Sequence, residues 1–293
     1  MKKLLAILLA VLMIVSVTAC KKNKEDENPN AEGLNDDVIV TFQGEHGVYT
    51  YEFVESSTIR IVSYAGTTEL HDLAIPATMN ENTVVAIGTG AFANCSNLKN
   101  VKVPATVTEI GAQAFAECDR LESVEIPSGI AKMGKSVFYN CDNLATVSFV
   151  GTDAAKLTEI GEGAFFACKK LTSINLPATV ATIGDGAFYS CEALASIELP
   201  ASLETIGQGA FLSCTALNNV ILPATVKFVG SHAFAACAGL NAISFADAAN
   251  WNVVVEGLGT EGEELEAVDV STADKALDAL TDTYFAYALK KVA

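Results

Sequence analysis

The chain is short of what most enzymes and nucleic-acid binders rely on. Among its 293 residues there are three histidines, His46, His71 and His232, and they are scattered. No cysteines fall as CxxC and no histidines as HxxxH, so zinc-ligand spacing is missing. No glycine-rich phosphate loop follows a strand. Basic residues number 18 against 35 acidic ones, a formal net charge of −17. That balance argues against nucleic acid, whose phosphates call for a basic surface, and against adhesion to anionic lipid through a basic face. Long apolar runs are also missing, save one from Leu4 to Val17. It is shorter than the roughly 20 residues of a membrane-spanning helix.

That run has the form of an export signal. Lys2 and Lys3 precede it, and Val17-Thr18-Ala19-Cys20 closes it. A small residue before a cysteine at this point looks like a bacterial lipobox, which makes Cys20 the expected lipidation site and 1–19 a removed signal peptide. Residues 20–35, beginning Cys20-Lys21-Lys22-Asn23-Lys24, are polar and charged and read as a disordered tether. A membrane contact is thus expected through an N-terminal lipid.

What is abundant is repetition. The phrase Ile110-Gly111-Ala112-Gln113-Ala114-Phe115-Ala116-Glu117-Cys118 returns from Ile87, Met133, Ile160, Ile183, Ile206 and Val229. Its phenylalanines are Phe92, Phe115, Phe138, Phe165, Phe188, Phe211 and Phe234. Its cysteines are Cys95, Cys118, Cys141, Cys168, Cys191, Cys214 and Cys237. Steps in both series are 23, 23, 27, 23, 23 and 23 residues. A fixed period of this size marks a solenoid whose coils hide their apolar residues only by stacking.

One full unit runs from Val107 through Ile110, Phe115, Cys118 and Leu121 to Val124-Glu125-Ile126-Pro127. Val124 and Ile126 alternate, as on one side of a short strand. The proline cannot donate to a ladder and ends it. Glycine after isoleucine predicts a sharp turn with positive φ. Ala-Phe-x-x-Cys has near-helical spacing, which predicts one helical turn aiming phenylalanine and cysteine inward. The cysteines stack in parallel columns rather than converging, so the pattern favours buried thiols acting as small hydrophobes over disulfides. After Phe149 the proline is missing and four extra residues precede Leu157, either a tolerated loop or a binding loop.

The resulting architecture is a strand-rich α/β solenoid with short parallel strands and helical turns, capped at both ends. Residues 36–72 read as N-terminal cap hairpins, 73–245 as about seven repeats, and 246–293 as a C-terminal hairpin plus helix, with Ser271 as N-cap. Glu261, Glu263, Glu264 and Glu266 read as a solvated acidic turn.

The unit LxxVxxPxxVxxIGxxAFxxC resembles that of BspA-like, or Treponema-type, leucine-rich repeat proteins. The resemblance covers 73–245, and the flanks Arg60–Gly66 and Asp282-Thr283-Tyr284 are also similar. Cysteine precedes the strand here, whereas ordinary leucine-rich repeats place their Asn/Cys position after it, so strong horseshoe curvature is not expected. The resemblance implies a bacterial surface protein, with adhesion to host or neighbouring-cell proteins. It implies no residue-level site.

Strand positions alternating with the core predict one continuous outward face: Asn100, Lys102, Ser123, Glu125, Thr146, Ser148, Ser173, Asn175, Ser196, Glu198, Asn219 and Ile221. Small polar side chains dominate it and no aromatic row is present, which disfavours sugar stacking. The expected function is non-enzymatic surface recognition of a protein ligand, without cofactor or metal; the alternative is a structural envelope lipoprotein without a specific ligand. Catalysis would need convergent polar groups. His232, in a variable and therefore solvent-facing slot, is the one histidine of the repeat body.

Overall fold

The structure, a computed structural model, describes residues 40–151, 155–254, 264–283 and 288–291. The signal segment, Cys20 and the tether lie outside these residues, as do Glu261 and Glu263. Three antiparallel strands come first: β1 (Val40–Gln43), β2 (Gly47–Glu55) and β3 (Thr58–Gly66). In β2 and β3 alternate residues are buried, because Tyr49, Tyr51, Ile59, Ile61 and Tyr64 face the first coil. The chain then winds into parallel coils. β3 pairs parallel with Asn82–Ile87, so the antiparallel sheet passes directly into the solenoid. The extra residues before that strand form a tight hairpin with left-handed Asn80 and Glu81.

Each coil has three sides, and each side is a ladder. The first is the strand ladder His71–Ala74, Leu98–Lys102, Ser123–Pro127, Thr146–Val150 and Ser173–Ile174. It thins to a single bridge, Asn175 to Glu198, and resumes as Asn219–Leu222 beside Ala242–Phe245. The second joins Asn82–Ile87, Glu109–Ile110 and Lys132–Met133, then restarts with Glu159–Ile160, Thr182–Ile183, Thr205–Ile206 and Phe228–Val229.

The third side is the Ala-Phe-x-x-Cys segment, and it is not a helical turn. In a helix every N–H points back within its own turn. Here alternate N–H groups leave for the next coil: Gly163 N to Asp185 O, Phe165 N to Ala187 O and Ala167 N to Tyr189 O, each 2.8 Å. The intervening ones close reverse turns, such as Phe166 N to Gly163 O at 3.0 Å. This alternation needs two left-handed residues per coil. They recur at fixed slots, Gly90 to His232 with φ 54–62° and Asn94 to Ala236 with φ 55–62°. Glycine, asparagine and small polar residues take many of these slots, as left-handed backbone favours. His232 sits in this series with φ 58° and is half-buried. Its slot varies because the backbone is left-handed there, not because the side chain is simply solvated.

Glycine after isoleucine also has a different cause from the one expected. Gly111, Gly134, Gly184 and Gly230 are not left-handed. A Cβ on them would lie 2.5–2.7 Å from backbone nitrogens of the preceding coil. This column is bare so that coils can approach.

Inside, the seven phenylalanines are fully buried and stack with centroids 5.0–5.5 Å apart and planes within 12°. Each thiol from Cys118 to Cys237 donates to the phenylalanine carbonyl one coil back at 3.1–3.2 Å. These six are free and buried. Cys95, at the head of the series, is buried and has no earlier phenylalanine of the series behind it. Tyr64 extends the aromatic column, 5.2 Å from Phe92. At the other end Ala288–Lys291 pairs antiparallel with Phe228–Val229 and with Trp251–Val254, which also pairs with Glu264–Val268. Trp251 is buried and donates from Nε1 to the Asp247 carbonyl. Helix content is small. Among the described residues α1 (Ala273–Asp278), followed by a π-helical turn at Ala279–Thr283, starts at an N-cap that is Thr272, not Ser271: the Thr272 hydroxyl accepts from Lys275 N, while Ser271 N donates to Asp269.

Candidate interaction faces

The expected face lies on the first ladder, and its strands hold many of the residues in register. Asn100, Ser123, Thr146 and Ser173 form one row; Lys102, Glu125 and Ser148 form another. The face is not continuous. Ser196 lies outside any strand, Asn175 and Glu198 meet only at the bridge, and Asn219 and Ile221 belong to a separate two-stranded sheet.

Its two halves differ chemically. At the N-terminal end the side chains bond to one another: Asn100 donates to Asp72 at 2.7 Å, Ser123 donates to Asn100 at 2.6 Å, and Lys102 meets Glu125 at 3.3 Å. From Thr146 to Ile221 none of the proposed residues makes a side-chain hydrogen bond or ion pair among the described residues. Ile221 is 68% exposed, the largest value among exposed large hydrophobics of the described residues.

Two features escaped the sequence reading. One is an aromatic row on the turn side, where Tyr139, Phe166 and Tyr189 stack at 4.8 and 4.6 Å, half-buried. The signal was the residue after each spine phenylalanine. Because Phe166 is sandwiched, both its ring faces are covered by its neighbours, and the row presents edges rather than a platform. The second is a pair of adjoining cavities of about 420 and 400 Å³ over the second ladder. They share Thr89, Glu109 and Gly111, and their outer limits are Arg60 and Glu159. The bare glycine column gives the groove its depth.

Two of the scattered histidines also come together. The rings of His46 and His71 lie 4.7 Å apart beside Tyr64, whose hydroxyl reaches the His46 carbonyl and His71 Nε2. Nucleophilic chemistry at the cysteines is disfavoured. Burial pushes the Cys191 thiol up to about 12 and Cys237 to about 11, and raises Cys141, Cys168 and Cys214 as well. Among the described residues no group of three His, Cys, Asp or Glu side chains is arranged to hold a metal, and no helix is long and apolar enough to cross a membrane.

The profile of the BspA type leucine rich repeat region matches residues 57–154 and 152–251, six copies in all. The chain belongs to that family. A crystal structure of a leucine rich cell surface protein from Faecalibacterium prausnitzii is similar, with TM-score 0.64 and 28% identity over 80% of this chain. This chain spans 62% of that protein. A leucine-rich repeat protein from Bacteroides ovatus is 24% identical over 71% of each chain, with TM-score 0.36. The leucine-rich repeat protein of T. pallidum is 25% identical over 67% of this chain and 68% of its own, with TM-score 0.32. No curated protein is similar in sequence. Proteins built on this repeat and fold are typically non-catalytic scaffolds for interaction.

Proposed function

We propose that the protein is exported, held at the cell envelope by a lipid on Cys20, and recognises a protein on a host or neighbouring cell without catalysing a reaction. The observation that carries this reading is the unsatisfied C-terminal half of the strand face. In a chain that bonds its polar side chains from coil to coil, Thr146, Ser148, Ser173, Asn175, Ser196, Glu198, Asn219 and Ile221 are left to solvent. Side chains held on coils that stack through their turns can meet a partner with little ordering cost. The family membership and the cell-surface description of the Faecalibacterium protein support the location.

Two measurements test it. Fatty-acid labelling of the full chain in cells should be lost in Cys20→Ala, and protease applied to intact cells should reach the solenoid. Capture from matrix, host and bacterial surface proteins should yield a ligand whose retention drops in Ile221→Asp. Failure to capture any ligand, with altered envelope integrity on deletion, would favour a structural lipoprotein instead. The bonded N-terminal half of the face is the observation on that side.

A further inference from the structure

The N-terminal end of the solenoid is an unguarded sheet edge. β1 is the outermost strand of its sheet, and among the described residues it pairs with β2 alone. Its sequence, Val40-Thr41-Phe42-Gln43, holds no charge, proline or glycine. Sheet proteins commonly block such an edge with charges, prolines or bulges. The far end differs. The outermost strand there, Glu264–Val268, is written with glutamate at alternate positions, Glu264 and Glu266.

β1 is also where the core runs out. The column of rings continues from Phe92 through Tyr64 and Tyr49 to Phe42, with centroids 5.2, 4.8 and 6.2 Å apart. Phe92, Tyr64 and Tyr49 are buried, whereas Phe42 and its strand neighbour Val40 are only partly so.

The register of β1 shows which backbone groups it leaves free. Gly44 N donates to Gly47 O at 2.8 Å, and opposite residues of an antiparallel pair alternate between bonded and unbonded. Phe42 and Val40 therefore bond across to Tyr49 and Tyr51, and Thr41 and Gln43 turn their N–H and C=O away from β2. The other side of β2 agrees. Its bonds to β3 keep phase with His46, whose carbonyl accepts from Thr67 N at 2.8 Å.

We propose that two copies of this chain join end to end, β1 pairing antiparallel with β1 about a two-fold axis at Thr41. Each Thr41 N–H donates to the Thr41 carbonyl of the copy. Val40 of one chain lies opposite Phe42 of the other on the core side, and the two Thr41 side chains meet on the outer side. Aromatic with β-branched and threonine with threonine are favourable cross-strand pairs. A slip of one residue would set Thr41 against Phe42 and mix the polar and apolar faces. Centring on Gln43 would set Phe42 against Gly44. The strand is thus its own complement in one register. Because β1 stands at the extreme of the stack, the two solenoids extend away from each other. A strip this short buries less than the roughly 1,000 Å² of a stable interface, so the pairing is reversible. It is independent of the recognition reading, since no ligand takes part.

Sedimentation of the purified full chain over a range of concentrations should show a monomer–dimer equilibrium. Thr41→Pro removes the N–H at the axis without touching a bond to β2, and should raise the dissociation constant at least about tenfold with the melting temperature unchanged. Thr41→Lys sets like charges across the axis and should weaken the dimer too, with partial recovery in high salt. On oxidation Thr41→Cys should give a cross-linked dimer that neither the unaltered chain nor Ser56→Cys, in the turn after β2, gives. A chain that stays monomeric as concentration rises, a dimer unmoved by Thr41→Pro and Thr41→Lys, or equal cross-linking at 41 and 56 would overturn the proposal.

Discussion

The turn ladder and the two strand ladders cover the same coils, and they differ in how much they tolerate. The first strand ladder thins to one bridge between Asn175 and Glu198, and the second is interrupted between Met133 and Glu159. The turn ladder keeps its bonds through both places: Ser136, Phe138 and Asn140 donate to the Glu162, Ala164 and Phe166 carbonyls, in that order, across the 27-residue step. Its phenylalanine stack is equally unbroken. Strand pairing is therefore the adaptable part of this solenoid, and the turns are what hold the coils in line.

The largest effect should come from breaking the turn side. Phe165→Ala is expected to lose about 3–5 kcal/mol, as for other fully buried aromatics, measured by chemical denaturation. The strand-face change Ser173→Ala should stay within about 0.5 kcal/mol. Equal losses at the two sites would end the distinction. Next comes the glycine column. Gly184→Ala places a Cβ 2.7 Å from Glu162 N and should cost about 1–3 kcal/mol through overpacking. Gly186→Ala, left-handed but roomy, should cost about 1 kcal/mol.

The thiols sharpen the comparison through pH. Burial raises Cys191 from 9.0 to about 12, so the folded state holds its proton where the unfolded chain releases it. Its contribution is whole below pH 9.0 and declines as pH rises toward about 12. Stability should fall across that window, and Cys191→Ala should flatten the fall. A slope unchanged by the substitution would remove this thiol from the account. The smallest effect is expected at the exposed pair Lys227 and Glu204: Lys227→Gln should change stability by no more than about 0.5 kcal/mol, and less in high salt.

The period, the core residues and the proline-closed strands were legible because each reports on one coil. Features that depend on the coil next door were not. Gly111 was expected to turn the chain, but what it meets is Thr89 of the coil before. Phe115 and Cys118 have helical spacing, yet their backbone bonds alternate between coils, which a linear pattern cannot show. The face from Asn100 to Ile221 was expected to be uniform; Asp72 and Lys102 close one half of it through bonds that spacing alone did not reveal. Two of the histidines were scattered only in sequence, since the turn before β2 and the start of the strand His71–Ala74 bring His46 and His71 to one spot.

The bare glycine column has a consequence for how such a chain can change. Each coil is fitted to a neighbour that repeats its own shape, so both of its faces are complementary to a copy of itself. A duplication of 23 residues in the gene therefore arrives already matched on both sides, and an excision leaves ends that still fit. Removing 183–205, for instance, joins Thr182 to Ile206 in the same phase as Thr205 to Ile206. Length can then vary between generations without any change at the caps, which never meet.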